Sequence, residues 1–146
     1  MNKSVVYDKA KFHYDGDYPR GLPIEQAFVH TGMFVGWVIE RGLYSDDFQA
    51  MLGPAIEAFK ERELTGAKVY EEMDGAFTDQ DLSDEGDAFA QYYFDFDKGK
   101  YLEDYERILV LGLPSIYHVS DTWENYDNIK QRIDQRYIEW KKKRNG

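Results

Sequence analysis

Cysteine is absent from this chain, and that absence removes disulfides, thiolate metal sites and thiol catalysis together. Long apolar runs are missing too. Glu40 and Arg41 close the longest one, short of the roughly 18 residues that a bilayer-crossing helix needs. The first residues, Met1 to Asp8, contain no apolar stretch of the kind found in secretory leaders. With no leader, no anchor and no cysteine, the expected compartment is the cytoplasm. Glycine-rich phosphate loops are lacking, because Gly32 and Gly36 fall inside a helical stretch rather than ahead of one. There is no Gly-x-Ser-x-Gly elbow, and Ser4, Ser45, Ser83 and Ser120 stand in cap-like or terminal contexts. The chain has 28 acids, yet no carboxylate pair stands out for acid–base work. No cofactor is expected from this set.

What the chain has in excess is acid and aromatic rings. At 146 residues, with 42% hydrophobic and 16% aromatic residues, it has enough apolar material to fold as one unstapled domain over 1–146. The net charge of −10 is spread unevenly. From Glu71 to Glu106 there are 13 acids against Lys98 and Lys100, whereas the chain ends in Lys141-Lys142-Lys143-Arg144. An acidic middle repels nucleic acid and anionic membrane and attracts a cationic partner. It also serves as a solvated, solubilising face, and composition alone does not separate the two.

Periodicity gives helices almost throughout, so the expected fold is all-α: one compact domain around a buried N-terminal helix. That helix opens at Pro23 or Ile24, ends at Gly42 and is apolar nearly all round. Gly32 and Gly36, four apart, share a face that admits another element closely. Ser45, Thr65 and Ser83 are expected N-caps, with Gly53-Pro54 interrupting the helix after Ser45. The run Leu109 to Leu113 reads as a helix end or a brief strand. A capping box of Asp121 and Glu124 opens the last helix, on which Trp123, Tyr126, Ile129, Ile133, Tyr137 and Trp140 form a stripe. Residues 141–146 are expected to be a frayed basic tail.

Two sets of residues are candidates for function. The first is a possible ligand site of His13, Tyr14, Asp15, Asp17, His30 and Trp37, in which imidazole and carboxylate suit zinc, iron or manganese. The spacing matches no metal signature, so no metal is assigned. The segment from His13 to Pro19 also reads as a loop that bonds its own backbone, with Gly16 supplying an angle other residues avoid. His30, in line with Phe34, Trp37 and Arg41, reads as a hydrogen-bonded core residue or as a ligand. The second set is a partner-binding face of Asp79, Asp81, Asp84, Glu85, Asp87, Tyr92 and Tyr93. Adjacent tyrosines on one helix cannot both be core, which leaves one free to anchor a partner.

The motifs His13-Tyr14-x-Gly16-Asp17-x-Pro19, His30-x-Gly32-Met33-Phe34-x-x-Trp37, Asp81-Leu82 to Tyr92-Tyr93, and Tyr101-Leu102-x-Asp104-Tyr105 resemble those of a family of small bacterial proteins without an assigned activity. The resemblance covers most of residues 7 to 105 and leaves out the C-terminal helix. Proteins of this size and acidity resemble immunity or antitoxin partners. The expected function is therefore a non-catalytic binding protein whose acidic, tyrosine-rich surface takes a basic protein such as a toxin, with no nucleic acid and no membrane. The alternative is a small-ligand or metal-dependent enzyme with its site at His13, Asp17 and His30.

Overall fold

A computed structural model describes residues 5–145. Its frame is helical: α1 (Ala10–Tyr14), α2 (Val29–Arg41), α3 (Asp46–Lys60), α4 (Gly66–Glu72), α5 (Asp84–Tyr93), α6 (Tyr101–Tyr105) and α7 (Trp123–Asn145). Two short antiparallel strands, β1 (Val6–Lys9) and β2 (Ala76–Thr78), pair beside them. The fold is all-α in the sense expected, with strand confined to this one ribbon among the described residues. None of the described helices is long and apolar enough to cross a membrane.

The centre is α2, in which every residue from Val29 to Ile39 is buried. A single 3-10 turn (Ile24–Phe28) leads into it. Gly42, at φ 68°, ends it by turning its N–H back to the Ile39 carbonyl, the left-handed cap that glycine adopts without a Cβ penalty. Close packing on α4 depends on Gly32: a Cβ there would collide with the backbone of Gly66 and Ala67. The backbones of the two helices touch, so the first turn of α2 is held at a fixed height against α4.

The C-terminal half of α2 is packed among rings. Trp37 is fully buried, with Phe34, Phe89 and Tyr137 at 5.6, 5.3 and 5.3 Å between centroids. Its indole N–H donates to Asp134 at 2.8 Å, and Arg41 pairs with the same carboxylate. The wall opposite comes from α5 and α7, as the aromatic stripes of those segments require.

Three of the expected caps form: Ser45, Thr65 and Ser83 each accept a backbone N–H three residues on. Helix α3 is kinked at Leu52 (φ −123°, ψ 22°), two residues ahead of Pro54, and then resumes. Other expectations need correction. Helix α7 is capped by Thr122, whose hydroxyl accepts from Asn125 N, while Asp121 instead accepts the Thr65 hydroxyl. Of the two readings of residues 109–113, the helix end is the one that forms, with no strand there. A π-turn (Glu106–Val110) widens the chain, which then stops at Leu111 and Gly112, both at positive φ. Gly16 has no positive φ, and its place is set by the Phe12 carbonyl instead. The basic tail is helical through Asn145, because Lys141 pairs with Glu85 and Arg144 lies over the Trp140 ring. Gly146 lies outside the described residues, as do residues 1–4.

Candidate functional site

The polar centre of the molecule is assembled from five elements. Strand β1 contributes Asp8 by way of a register shift between Val6 and Asp8. Regular alternation would bury only one of Tyr7 and Asp8; the bulge turns both inward. Helix α1 follows at once and carries His13. The first turn of α2 supplies His30 and Thr31, α4 supplies Tyr70, and a 3-10 turn (Ile116–His118) supplies Tyr117. Gln26 pins that turn by donating to the carbonyls of Tyr117 and Val119.

Asp8 is the hub and is nearly inaccessible. One oxygen lies 2.7 Å from His13 Nε2. The other accepts the Thr31 hydroxyl at 2.6 Å and the Tyr70 hydroxyl at 3.3 Å. His13 Nδ1 meets the Tyr117 hydroxyl at 2.8 Å, and its ring stands edge-on to His30 with centroids 4.6 Å apart. His30 Nε2 is 4.0 Å from Asp8 Oδ2, and neither His30 nitrogen has a hydrogen-bond partner.

The electrostatics follow from this burial. Desolvation works to raise the Asp8 carboxyl, but the His13 hydrogen bond, the charges of both histidines and the Thr31 hydroxyl together hold it below the ordinary carboxylate range. Burial pulls the His30 imidazole down to about 4, against the opposing pull of Asp8, so His30 is neutral near pH 7. Burial and then the Asp8 charge raise the Tyr70 phenol, and Tyr117 is raised for the same reasons. Donor atoms of Asp8, His13 and His30 all lie within 4.8 Å of one another, so these three are the residues here that a metal ion would use.

The expected ligand site is therefore only partly assembled. His13 and His30 converge. Asp15 and Asp17 are exposed to solvent, and Asp8 occupies the place given to Asp17. Tyr14 stacks on Phe28, and Trp37 lies two turns along α2 among the aromatics. Thr31 falls at an unspecified position of the His30 motif, so neither it nor Tyr117 was marked as a site residue, and Asp8 was hidden by the strand bulge.

The acidic face is also changed by the fold. Asp79 accepts Val5 N, Asp81 accepts Thr78 N in a capping box, and Asp87 accepts the Tyr7 hydroxyl. Glu85 bonds the Tyr137 hydroxyl and Lys141. Tyr93 is fully buried and donates to Asp104, which Arg136 grips with two nitrogens at 2.9 and 3.0 Å. Tyr92 is the exposed one of the pair, with Lys143 over its ring. Part of the cationic complement to the acidic stretch is thus the chain's own last helix.

The pattern of one family, described as a domain of unknown function (DUF7832), matches residues 6–119. The chain belongs to that family. The DUF7832 span takes in Asp8, His13, His30, Thr31, Tyr70 and Tyr117 and stops short of α7. No curated protein and no solved structure matches the chain.

Proposed function

We propose that this chain is a non-catalytic binding protein, of the immunity or antitoxin kind, that docks a basic protein partner. The observation that carries this reading is a set of exposed carboxylates that the fold leaves unpaired. Asp46 and Asp47 open α3 and Asp84 opens α5, and none of the three makes an ion pair among the described residues. The two helix starts are clamped side by side: Ser45 N donates to Asp81 O, and Ser83 N donates to Leu43 O. Met51, one turn beyond Asp47, is 77% exposed, and a flexible thioether beside like charges suits an adaptable contact. The docking face is thus moved from the 79–87 run, whose acids mostly serve the fold, to the junction of α3 and α5.

Exposed charges of this kind steer encounter more than they hold a complex together. Changing Asp46, Asp47 and Asp84 together to asparagine is expected to slow association with the product of the adjacent gene about tenfold at low salt. The difference should shrink as salt rises. Stopped-flow kinetics at two ionic strengths decide it, and equal on-rates for parent and variant at both would leave these acids a solubilising surface. The meeting of His13 and His30 favours a second reading, a small-ligand or metal-dependent enzyme. Asp17 stands outside that site, and the burial of Asp8 and His30 leaves an organic substrate no approach to them.

A further inference from the structure

Among the described residues, the buried side-chain nitrogens and oxygens without a hydrogen-bond partner are both ring nitrogens of His30 and the hydroxyl of Tyr105. The two rings are neighbours, with centroids 6.3 Å apart. Buried polar groups are nearly always satisfied, and an exception calls for an explanation such as an ion. The same His30 ring borders His13 and Asp8, whose donor atoms complete a set within 4.8 Å. From this we infer that Asp8, His13 and His30 bind a divalent first-row transition ion, with zinc as the representative, through the Asp8 carboxylate group and two imidazole nitrogens.

The distances fit a small adjustment. Ligand atoms around a tetrahedral ion with bonds near 2.0–2.1 Å stand about 3.3 Å apart. The observed 2.7 Å between His13 Nε2 and Asp8 Oδ1 and 4.0 Å between His30 Nε2 and Asp8 Oδ2 lie on either side of that value. An ion replaces the proton shared by His13 and Asp8, opening the first separation and closing the second. Two imidazoles and a carboxylate, without sulfur, suit zinc, iron(II) or manganese, whereas calcium and magnesium favour all-oxygen shells.

The surrounding groups are those a metal centre uses. Ligating histidines generally bond their other nitrogen, which fixes the tautomer. His13 does so through Tyr117, and Asp8 is oriented by Thr31 and Tyr70. Three protein ligands leave a fourth position for water. The ion would join β1, α1 and α2, which makes it a clasp between the N-terminal ribbon and the central helix. This inference is independent of the proposed docking face.

The test is metal uptake by the full chain. Protein stripped with a chelator is titrated with zinc by calorimetry, with elemental analysis and thermal melts alongside. One zinc per chain at sub-micromolar affinity, with a raised melting temperature, is expected. His30→Phe keeps a ring of similar shape and should weaken zinc binding by about 100-fold or more. Tyr117→Phe keeps all three ligands and should weaken it about tenfold. His118→Ala, whose ring bonds Ser115 instead, should leave binding unchanged. Should His30→Phe fail to fold, the Tyr117→Phe titration and the visible spectrum of the cobalt-loaded parent decide the matter. A folded, stripped parent that takes up no zinc, or takes it up no better than either variant, would overturn the assignment.

Discussion

The two ends of α2 are equally buried and are held in opposite ways. At the C-terminal end, Phe34 and Trp37 are fully enclosed by rings from α5 and α7, and the one polar atom, the indole N–H, is matched by Asp134. At the N-terminal end, Thr31 bonds Asp8, but His30 is enclosed with both nitrogens unmatched. Burial of the first kind stabilises in proportion to apolar area. Burial of the second kind costs free energy until something binds, since an unsatisfied polar group in the interior costs about 1–3 kcal/mol. One helix thus carries both an end whose buried polar atom is matched and an end where two are not.

The comparison is sharpest where the effect is largest. Trp37→Ala removes an indole from a closed aromatic wall and takes one donor from Asp134, which keeps Arg41, and about 3–5 kcal/mol of stability should be lost in a denaturant melt. A variant whose transition overlays the parent's would mean that the ring wall does not anchor α2. A middle case is a buried acid that is satisfied. Asp104 is held by Arg136 and Tyr93 between α5, α6 and α7. Arg136→Ala strips its charged partner and should cost about 2 kcal/mol, since a hydrogen bond to a buried charge is worth roughly 1.5–3. An unchanged midpoint would show that solvent replaces the guanidinium.

The smallest effect has the opposite sign. In chelator-treated protein, His30→Leu removes two unsatisfied nitrogens and should raise stability by about 1 kcal/mol. In zinc-loaded protein the same change should lower the melting temperature relative to the loaded parent. A loss of stability in the stripped protein would mean that His30 has a partner in solution, and the contrast between the two ends of α2 would collapse.

Much of the helical frame was legible because its signals are local. Ser45, Thr65 and Ser83 cap through hydroxyls that act within three residues, and an apolar helix ended by Gly42 has few fates other than the core. The ribbon was not legible, since Val6 pairs with Thr78 far along the chain and the bulge breaks the alternation that marks a strand. For the same reason nothing in the sequence singled out Asp8. The site was half legible: two histidines near the N-terminus stood out, but spacing could not show which carboxylate they would meet. Charge runs misled most. The acids from Asp79 to Asp87 look like a free surface until α7 folds back and brings Lys141 to Glu85 and Lys143 to Tyr92.

The span of these contacts has a consequence for how the chain folds. His13 and Tyr117 are 104 residues apart, and Tyr70 and Asp8 are 62 apart. Contacts that close such long loops form slowly and rest on others made first. The helices can form and dock on local signals, whereas the Asp8 network closes only once 3-10 turn, ribbon and α4 have all arrived. Ordering of Asp8 and His13 should then be among the last events in refolding, behind the locally capped turns at Ser45, Thr65 and Ser83.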